Sequence, residues 1–209
     1  MADTRNTAES PQPKVLLIGG VSHLGKSTMG QRLAAELGWR YLSTDQLARH
    51  PGRPWRNDGS TLPADVIDHY SQLSTAQLVE SVLAHYQNNV WPIIEAIVRS
   101  HVNNPYDPSL VFEGSAILPE LVAAAAFDRV SFVCLGASDA FIRGRIHESS
   151  DFANRSSDEQ SLIRFFVSRT LALSEATRGA VHEIGAPSVD VEEPRAYQVL
   201  INASRQPLC

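Results

Sequence analysis

The sequence predicts an α/β protein, a three-layer sandwich in which helices cover both faces of a central parallel five-stranded sheet. Segments typical of strands alternate with segments typical of helices, which is the chain order of parallel-sheet proteins. Three of the strand segments are almost continuous apolar runs, as expected for strands buried on both faces. The predicted strands are KVLLIGG (14–20), WRYLST (39–44), SLVFEG (109–114), RVSFVCLG (129–136) and APSVDV (186–191).

The predicted helices are indicated by the spacing of apolar residues and by residues typical of helix termini. Met29, Leu33 and Leu37 recur at helical spacing, and Gly38 follows them as a C-terminal stop. Two further helices are predicted to begin at serines followed three residues later by Gln or Glu, which is the spacing of a capping box. These pairs are Ser74 with Gln77 and Ser156 with Glu159. The second of these helices is predicted to end at Gly185.

Residues 50–104 lie between the second and third predicted strands, and this stretch is too long for a plain crossover. Its segments AQLVESVLAHY and IIEAIVRSHV predict a helical insert, in which Pro92 is expected to break or kink the helix. The polar stretch 148–159 contains few apolar residues and is predicted to be a mobile loop.

The length of 209 residues is enough for one domain with a substantial core. We expect that domain to span residues 14–209, with residues 1–13 as a flexible tail. No apolar run approaches the roughly 18 residues of a membrane-spanning helix, and the N-terminal residues lack the apolar core of a secretory signal. We therefore expect a cytoplasmic protein without a membrane partner.

Composition excludes some classes of partner. The formal net charge is −5, whereas general surfaces for nucleic acids or anionic membranes are usually basic. The two cysteines, Cys134 and Cys209, have neither the spacing of metal ligands nor that of a disulfide framework. We predict no nucleic-acid partner, so an anionic ligand must be bound by a local cluster of positive charge.

One glycine-rich loop supplies such a cluster. Gly20, Gly25, Lys26 and Ser27 match the pattern G-x-x-x-x-G-K-[ST] between a buried strand and a helix. The glycines let backbone N–H groups turn toward a phosphate, and the helix adds the positive end of its dipole. Lys26 supplies a charge for the β and γ phosphates of a nucleoside triphosphate, and Ser27 supplies a ligand for Mg²⁺. The predicted nucleotide-binding residues are Gly20, Ser22, His23, Gly25, Lys26, Ser27 and Thr28; for His23 the alternative is a solvent-facing residue without a role.

Two further segments make a family resemblance specific. STDQLA (43–48) follows the second strand and VFEGSAILPE (111–120) follows the third. With the loop motif, they resemble the small-molecule P-loop kinases, a group that includes gluconate and shikimate kinases, zeta-toxin-like kinases and chloramphenicol phosphotransferase. The pairing is most similar to the 2-phosphoglycerate-kinase-like branch, and the resemblance extends from about Lys14 to Asp190. The resemblance implies a P-loop NTPase fold with an acceptor-binding insert and a lid. It also implies an ATP- and Mg²⁺-dependent activity that transfers the γ-phosphoryl group to a hydroxyl of a small, anionic metabolite.

The resemblance implies roles for two carboxylates. Asp45 resembles the general base that contacts the acceptor hydroxyl; alternatively, it caps a short helix, QLARH (46–50). Glu113 resembles a carboxylate that holds Mg²⁺ through water, together with Ser27, or that orients the acceptor. The alternative for Glu113 is a residue that merely marks the end of its strand.

Arginines form two groups along the chain. Those after Asp45 suit an acceptor that carries phosphate or carboxylate, because guanidinium groups bind such anions in bidentate fashion. They are Arg49, Arg53 and Arg56, and we expect Trp55 between them to pack rather than to bind. The predicted lid, residues 143–158, contributes the other group, which would stabilise the transferring phosphoryl group. Its members are Arg143, Arg145 and Arg155, with Arg164 and Arg169 as secondary candidates.

Arg143 and Arg145 are two residues apart on a predicted helix, so at most one of them is expected to reach the phosphates. Two other functions remain open. One is a nucleotide-binding switch that signals through a partner, although the sequence has no N-K-x-D motif for guanine. The other is a kinase that acts on a nucleotide, an antibiotic or an activated sugar.

Overall fold

The computed structural model of the protein describes residues 12–48 and 51–205. It contains a five-stranded sheet in which all the pairings are parallel, in the order β2-β3-β1-β4-β5. The strands are β1 (Val15–Gly19), β2 (Arg40–Ser43), β3 (Leu110–Glu113), β4 (Val130–Gly136) and β5 (Ser188–Asp190). The predicted fold class and all five predicted strands are therefore confirmed. Most of the predicted tail, residues 1–11, lies outside the described residues.

Helices cover both faces of the sheet. They are α1 (Lys26–Leu37), α2 (Ala64–Gln72), α3 (Thr75–His85), α4 (Trp91–Asn103), α5 (Pro119–Ala125), α6 (Asp139–Ser150), α7 (Ser157–Ile184) and α8 (Ala196–Ala203). Both predicted capping boxes are present, and both predicted glycine stops end their helices. Within the described ranges, no helix is both long enough and apolar enough to cross a membrane.

Strand β1 is buried on both faces because alternate side chains enter different cores. Leu16 and Ile18 belong to a cluster that also contains residues of α1 and α8, whereas Val15 and Leu17 belong to a second cluster with residues of α4 and α5. All four side chains are fully buried. This explains why the apolar run of this strand is continuous rather than alternating.

The strand register brings three chain segments to one edge of the sheet. Glu113 at the end of β3 pairs with Ile18 of β1 on one side and with Ser43 of β2 on the other. Because the strands are parallel, the segments that follow them emerge at the same edge. The glycine-rich loop, the Asp45 segment and Glu113 therefore meet there.

The connection between β2 and β3 contains the two predicted helices. Pro92 does not interrupt the helical path of the chain between them. A π-helical segment, Tyr86–Val90, joins α3 to α4, and Pro92 lies in the first turn of α4. Proline lacks the N–H group of a regular helix and its ring crowds the preceding turn. The wider π-helical turn accommodates both effects, so the chain remains helical through this point.

The polar stretch 148–159 is not the long loop that its composition predicts. Helix α6 extends to Ser150, a 3₁₀ turn covers Phe152–Asn154, and α7 begins at Ser157. Hydrogen bonds of polar side chains hold the short remaining turn: for example, Nδ2 of Asn154 donates to Oδ1 of Asp151 at 2.8 Å. The prediction is wrong because these bonds replace the apolar contacts that the stretch lacks.

Candidate functional site

The backbone of the loop between β1 and α1 needs glycine at two positions. Gly20 has a φ of 119° and Gly25 a φ of 77°, values that glycine adopts without strain. A Cβ on Gly20 would lie 2.5 Å from the carbonyl oxygen of Leu135. Gly25 is the N-cap of α1 and provides no side-chain cap, so the first N–H groups of the helix remain available to an anion. The loop therefore fits the phosphates of a nucleotide.

Lys26 begins α1, and its side chain is buried. Its Nζ donates hydrogen bonds to the carbonyl oxygen of Val21 at 2.7 Å and to the hydroxyl of Ser115 at 3.2 Å. Burial lowers the pKa of Lys26 because the ammonium group loses water, while the carboxylates of Glu113 and Asp45 act in the opposite direction. Both oxygens that hold Nζ are uncharged, so no direct ion pair within residues 12–48 and 51–205 neutralises this lysine.

Glu113 is 2% exposed and is oriented by two hydroxyl groups. Its Oε1 accepts hydrogen bonds from Oγ of Ser27 at 3.0 Å and from the hydroxyl of Tyr41 at 2.7 Å. Burial, followed by the interaction with Glu113, raises the pKa of Tyr41 to about 12, so this hydroxyl remains a donor. Ser27 and Glu113, the two predicted Mg²⁺ residues, are therefore in direct contact. Their oxygens fit Mg²⁺, which is often shared between a few protein oxygens and substrate phosphates.

Asp45 lies in a 3₁₀ turn, Thr44–Gln46, directly after β2. The alternative that Asp45 caps a helix over residues 46–50 is wrong where the structure describes that stretch. Ser43 is the cap, since its hydroxyl accepts a hydrogen bond from the backbone N–H of Asp45 at 3.4 Å. Asp45 itself is exposed, and its carboxylate does not act as the N-cap of this turn.

Gly114 lets the turn that carries Asp45 lie close to the end of β3. A Cβ on Gly114 would lie 1.7 Å from Oγ1 of Thr44, a separation that no side chain allows. Because Thr44 is itself buried, the turn has little room to move away. Glycine at this position therefore sets the spacing between Asp45 and Glu113.

Two adjoining cavities open at this edge of the sheet. The loop cavity, of about 200 Å³, is lined by residues of the glycine-rich loop together with Glu113 and Arg145. The adjoining cavity, of about 320 Å³, is lined by the turn after β2, residues 51–53, the π-helical segment and α7. Four residues line both cavities: Ser22, Asp45, Arg53 and Ser115. A larger cavity of about 710 Å³ lies between α7 and strands β4 and β5, but no residue of Gly25–Thr28 lines it, so size alone does not locate the site.

The predicted arginines differ in their relation to these cavities. Arg53 lines both, and Arg145 lines the loop cavity, where its Nη1 donates to Oε2 of Glu148 at 3.0 Å. Arg143, on the same helix as Arg145, is not among the described residues that line either cavity. Arg49 lies outside the described residues.

Arg56 and Arg155 lie together at a different place, beside a third cavity of about 390 Å³. The side chain of Arg155 is 18% exposed, and its Nη2 donates to the carbonyl oxygen of Arg56 and to Oδ1 of Asn57, each at 2.8 Å. Its Nε donates to the carbonyl oxygen of Ser150 at 2.8 Å. In this structure Arg155 therefore connects two chain segments and does not line the loop cavity.

His23 is partly buried and has contacts beyond its own loop. Its φ of 70° is in the left-handed region, and its Nε2 forms a 2.9 Å hydrogen bond with Oγ of Ser149 on α6. Its ring lies near those of Trp55 and Phe166, with centroid distances of 5.8 and 5.9 Å. Burial lowers the pKa of His23 to about 4, and positive side chains add to the effect. These side chains are, in decreasing order, Arg53, Lys26, Arg145 and Arg169.

This low pKa predicts how stability depends on pH. In the unfolded chain the histidine has its ordinary pKa of 6.5, so between pH 6.5 and about 4 the unfolded state binds more protons than the folded state. The contribution of His23 to stability is therefore complete above pH 6.5 and falls, by up to about 3 kcal/mol, as the pH decreases to about 4. A His23→Asn variant, which tolerates the left-handed backbone, should lose less stability over this range in denaturant unfolding.

The control for that comparison is His182→Asn, which removes an exposed histidine near the end of α7. It should show the same fall in unfolding free energy as the wild type. An identical pH dependence in the His23→Asn protein would contradict the assigned environment of His23.

Arg169, named above as a secondary lid candidate, lies beside the adjoining cavity, a position that the sequence analysis did not predict. It lies inside α7 and is 7% exposed, and its Nη1 donates to the hydroxyl of Tyr70 at 2.7 Å. Its guanidinium group lies 4.5 Å from the ring centroid of Phe166, and it lines the adjoining cavity. Among the described residues, its buried Nε has no hydrogen-bond partner. The available signal was its position three residues after Phe166, on the apolar stripe of the helix, where an arginine is unusual.

No protein-family model matches the chain, and no curated protein matches it in sequence. Solved structures with a similar fold exist. A gluconokinase from Sinorhizobium meliloti 1021 has a TM-score of 0.50 at 21% identity, over 92% of this chain and 90% of that chain. A shikimate kinase from Aquifex aeolicus vf5 has a TM-score of 0.51 at 15% identity, over 90% of this chain and 95% of that chain. These likenesses show that the chain has the fold of P-loop small-molecule kinases, as its sequence predicted.

Proposed function

We propose that the protein is a Mg²⁺- and ATP-dependent kinase that phosphorylates a hydroxyl group of a small, anionic metabolite. One observation carries this proposal: Asp45 lines both the cavity that contains the phosphate-loop lysine and the cavity that contains a buried arginine. A carboxylate at such a junction is in the right place to contact both a phosphoryl donor and an acceptor. The fold and the complete loop motif support the same conclusion.

The loop cavity would hold the triphosphate. Lys26 contributes the positive charge, and the N–H groups at the start of α1 contribute hydrogen-bond donors. Ser27 and Glu113 would hold Mg²⁺, which when bound neutralises charge on the β and γ phosphates. Arg145 lines the same cavity, and its exposed ion pair with Glu148 is weak enough to be exchanged for a phosphate contact.

Asp45 would act as the general base of the transfer. The acceptor hydroxyl oxygen forms a bond to the γ-phosphorus, the bond from that phosphorus to the β–γ bridging oxygen breaks, and ADP leaves. The proton of the hydroxyl passes to the Asp45 carboxylate. The exposure of Asp45 to both cavities supports this role, since a proton acceptor must lie within hydrogen-bond reach of the hydroxyl.

The buried guanidinium group of Arg169 supports a negatively charged acceptor. A buried guanidinium group is costly unless it is paired, and no carboxylate of the described residues forms an ion pair with Arg169. Arg53 adds a second positive charge to the same cavity. A carboxylate or phosphate on the acceptor would supply the missing partner and would satisfy the buried Nε.

The proposal predicts a substrate preference. We expect phosphorylation of a hydroxy acid or a phosphorylated hydroxy acid within a panel that also contains neutral polyols of similar size. An Arg169→Met variant should raise the KM for that acceptor at least about tenfold, because it removes charged hydrogen bonds to the anionic group. Steady-state kinetics with Mg-ATP would measure this change.

The matched control is Arg164→Met, which removes an exposed arginine from the same helix and should leave the KM unchanged. Preferential phosphorylation of a neutral polyol, with a KM that does not respond to Arg169→Met, would contradict the anionic acceptor. Tight binding of Mg-ATP without transfer to any compound would favour a nucleotide switch instead.

A further inference from the structure

Ser149, near the end of α6, is bonded to two different parts of the site. Its Oγ forms the 2.9 Å hydrogen bond with Nε2 of His23, which belongs to the glycine-rich loop. Its carbonyl oxygen accepts a 3.0 Å hydrogen bond from Nδ2 of Asn57. Asn57 belongs to the segment 51–60, here called the acceptor loop, which also contains Arg53. A single residue thus lies between the loop that would hold the nucleotide and the loop that lines the adjoining cavity.

Arg155 makes the link between α6 and the acceptor loop more rigid. Its Nη2 bonds to Arg56 and Asn57 and its Nε to the carbonyl oxygen of Ser150, so it crosses the same junction. Asn57 has both ends of its amide engaged, with Oδ1 accepting from Arg155 and Nδ2 donating to Ser149. The acceptor loop therefore cannot leave α6 without breaking several hydrogen bonds together.

Ring contacts connect the acceptor loop to the same histidine. Trp55 is 3% exposed and packs against Phe166 at a centroid distance of 5.0 Å, with His23 at 5.8 Å. Arg53, which lines both cavities, lies two residues before Trp55. His23 is therefore in contact with the acceptor loop by two routes, the ring of Trp55 and the hydrogen bonds of Ser149 and Asn57.

We propose that Ser149 is a positioning residue that couples the two cavities, so that a nucleotide on the glycine-rich loop orders the acceptor loop before an acceptor is present. This inference rests on the proposed function, because it requires a triphosphate in the loop cavity. Phosphates would fix the backbone of the loop and hence the ring of His23, which holds Ser149 and through it Asn57. By reciprocity, the acceptor would raise the affinity for the nucleotide by the same factor. A coupling carried by one hydrogen bond corresponds to about fivefold in affinity.

The test is amide hydrogen exchange on the full chain, with and without Mg²⁺ and the non-hydrolysable ATP analogue AMP-PNP, in the absence of acceptor. In the wild type we expect protection of residues 20–28 and also of residues 51–60. In Ser149→Ala we expect the protection of residues 20–28 to remain and the response of residues 51–60 to decrease, because only the ring contact between His23 and Trp55 then joins the two segments. Asn57→Ala interrupts the path at its other end and should give the same result. Ser149→Thr retains the hydroxyl and should restore the response.

Ser150→Ala is the matched control. It removes a hydroxyl from the adjacent position, but within the described part of the chain that hydroxyl donates only to the carbonyl oxygen of His147 in its own helix. Both segments should respond in this variant as in the wild type. A response of residues 51–60 that is as large in Ser149→Ala and Asn57→Ala as in the wild type, or that is absent from a wild type protected at residues 20–28, would overturn the coupling. Failure of the wild type to gain protection at residues 20–28 would instead refute nucleotide binding, and with it both the proposed function and this inference.

Discussion

We expect a Lys26→Met protein to lose at least about a hundredfold in turnover with Mg-ATP and its acceptor. Lys26 is the buried positive charge of the loop cavity, and it is held by two uncharged oxygens. Methionine fills similar space without the charge, so the phosphates lose the positive charge that Lys26 contributes. The rate of ADP formation at saturating ATP measures the loss, and thermal unfolding should show that the fold remains.

The chain offers a matched control, because its other lysine is also buried. Lys14 immediately precedes β1, and its Nζ donates to the carbonyl oxygen of Asn104, at the opposite end of the sheet from the glycine-rich loop. Lys14→Met should reduce stability but not turnover. Wild-type turnover in the Lys26→Met protein would show that the charge in the loop cavity is not needed for catalysis.

Asp45→Asn should reduce kcat at least about a hundredfold, with little change in the KM for the acceptor. The amide has the same size and still forms hydrogen bonds, but it cannot take the proton of the hydroxyl. Because Asp45 does not cap a helix, the substitution should leave the local structure intact. Steady-state kinetics over a range of acceptor concentrations separate the two constants.

Asp58→Asn is the corresponding control. Oδ1 of Asp58 accepts hydrogen bonds from the backbone N–H and the hydroxyl of Ser60 in the exposed part of the acceptor loop, and Asp58 lines neither cavity. Asp58→Asn changes the net charge by the same amount as Asp45→Asn. Because Asp58 lies outside both cavities, we expect kcat to be unaffected. An Asp45→Asn enzyme with wild-type kcat would exclude Asp45 as the base.

The layout of the sheet could be predicted because its signals are local. Strand β1 is apolar on both faces, and the motif from Gly20 to Ser27 follows it directly, so strand, loop and helix are all apparent within one short stretch. The capping boxes at Ser74 and Ser156 are equally local, since each depends on residues three positions apart. Such features need no knowledge of what lies elsewhere in the chain.

The walls of the candidate site depend on contacts between distant residues, and no local pattern identifies the two partners of such a contact. Tyr41 reaches Glu113, Arg169 reaches Tyr70, and Ser149 reaches His23 across 126 positions of the chain. Periodicity and composition describe neighbours in sequence, so they cannot place these side chains together.

The ordered turn between α6 and α7 was missed for a related reason. Its stability comes from Arg155, whose partners include the distant residues Arg56 and Asn57. A composition poor in apolar residues is typical of a mobile loop, but here hydrogen bonds across the junction take the place of apolar packing. The difference between the two cases becomes visible only when both segments are folded.

The most direct test of the central claim is to incubate the purified protein with Mg-ATP and a deproteinised metabolite extract, beside a Lys26→Ala control, and to follow the mixture by mass spectrometry. We predict that an anionic metabolite gains one phosphoryl group in the presence of the wild-type protein and not in the presence of the control. Binding of ATP without phosphorylation of any metabolite, across extracts from several growth conditions, would contradict the kinase assignment.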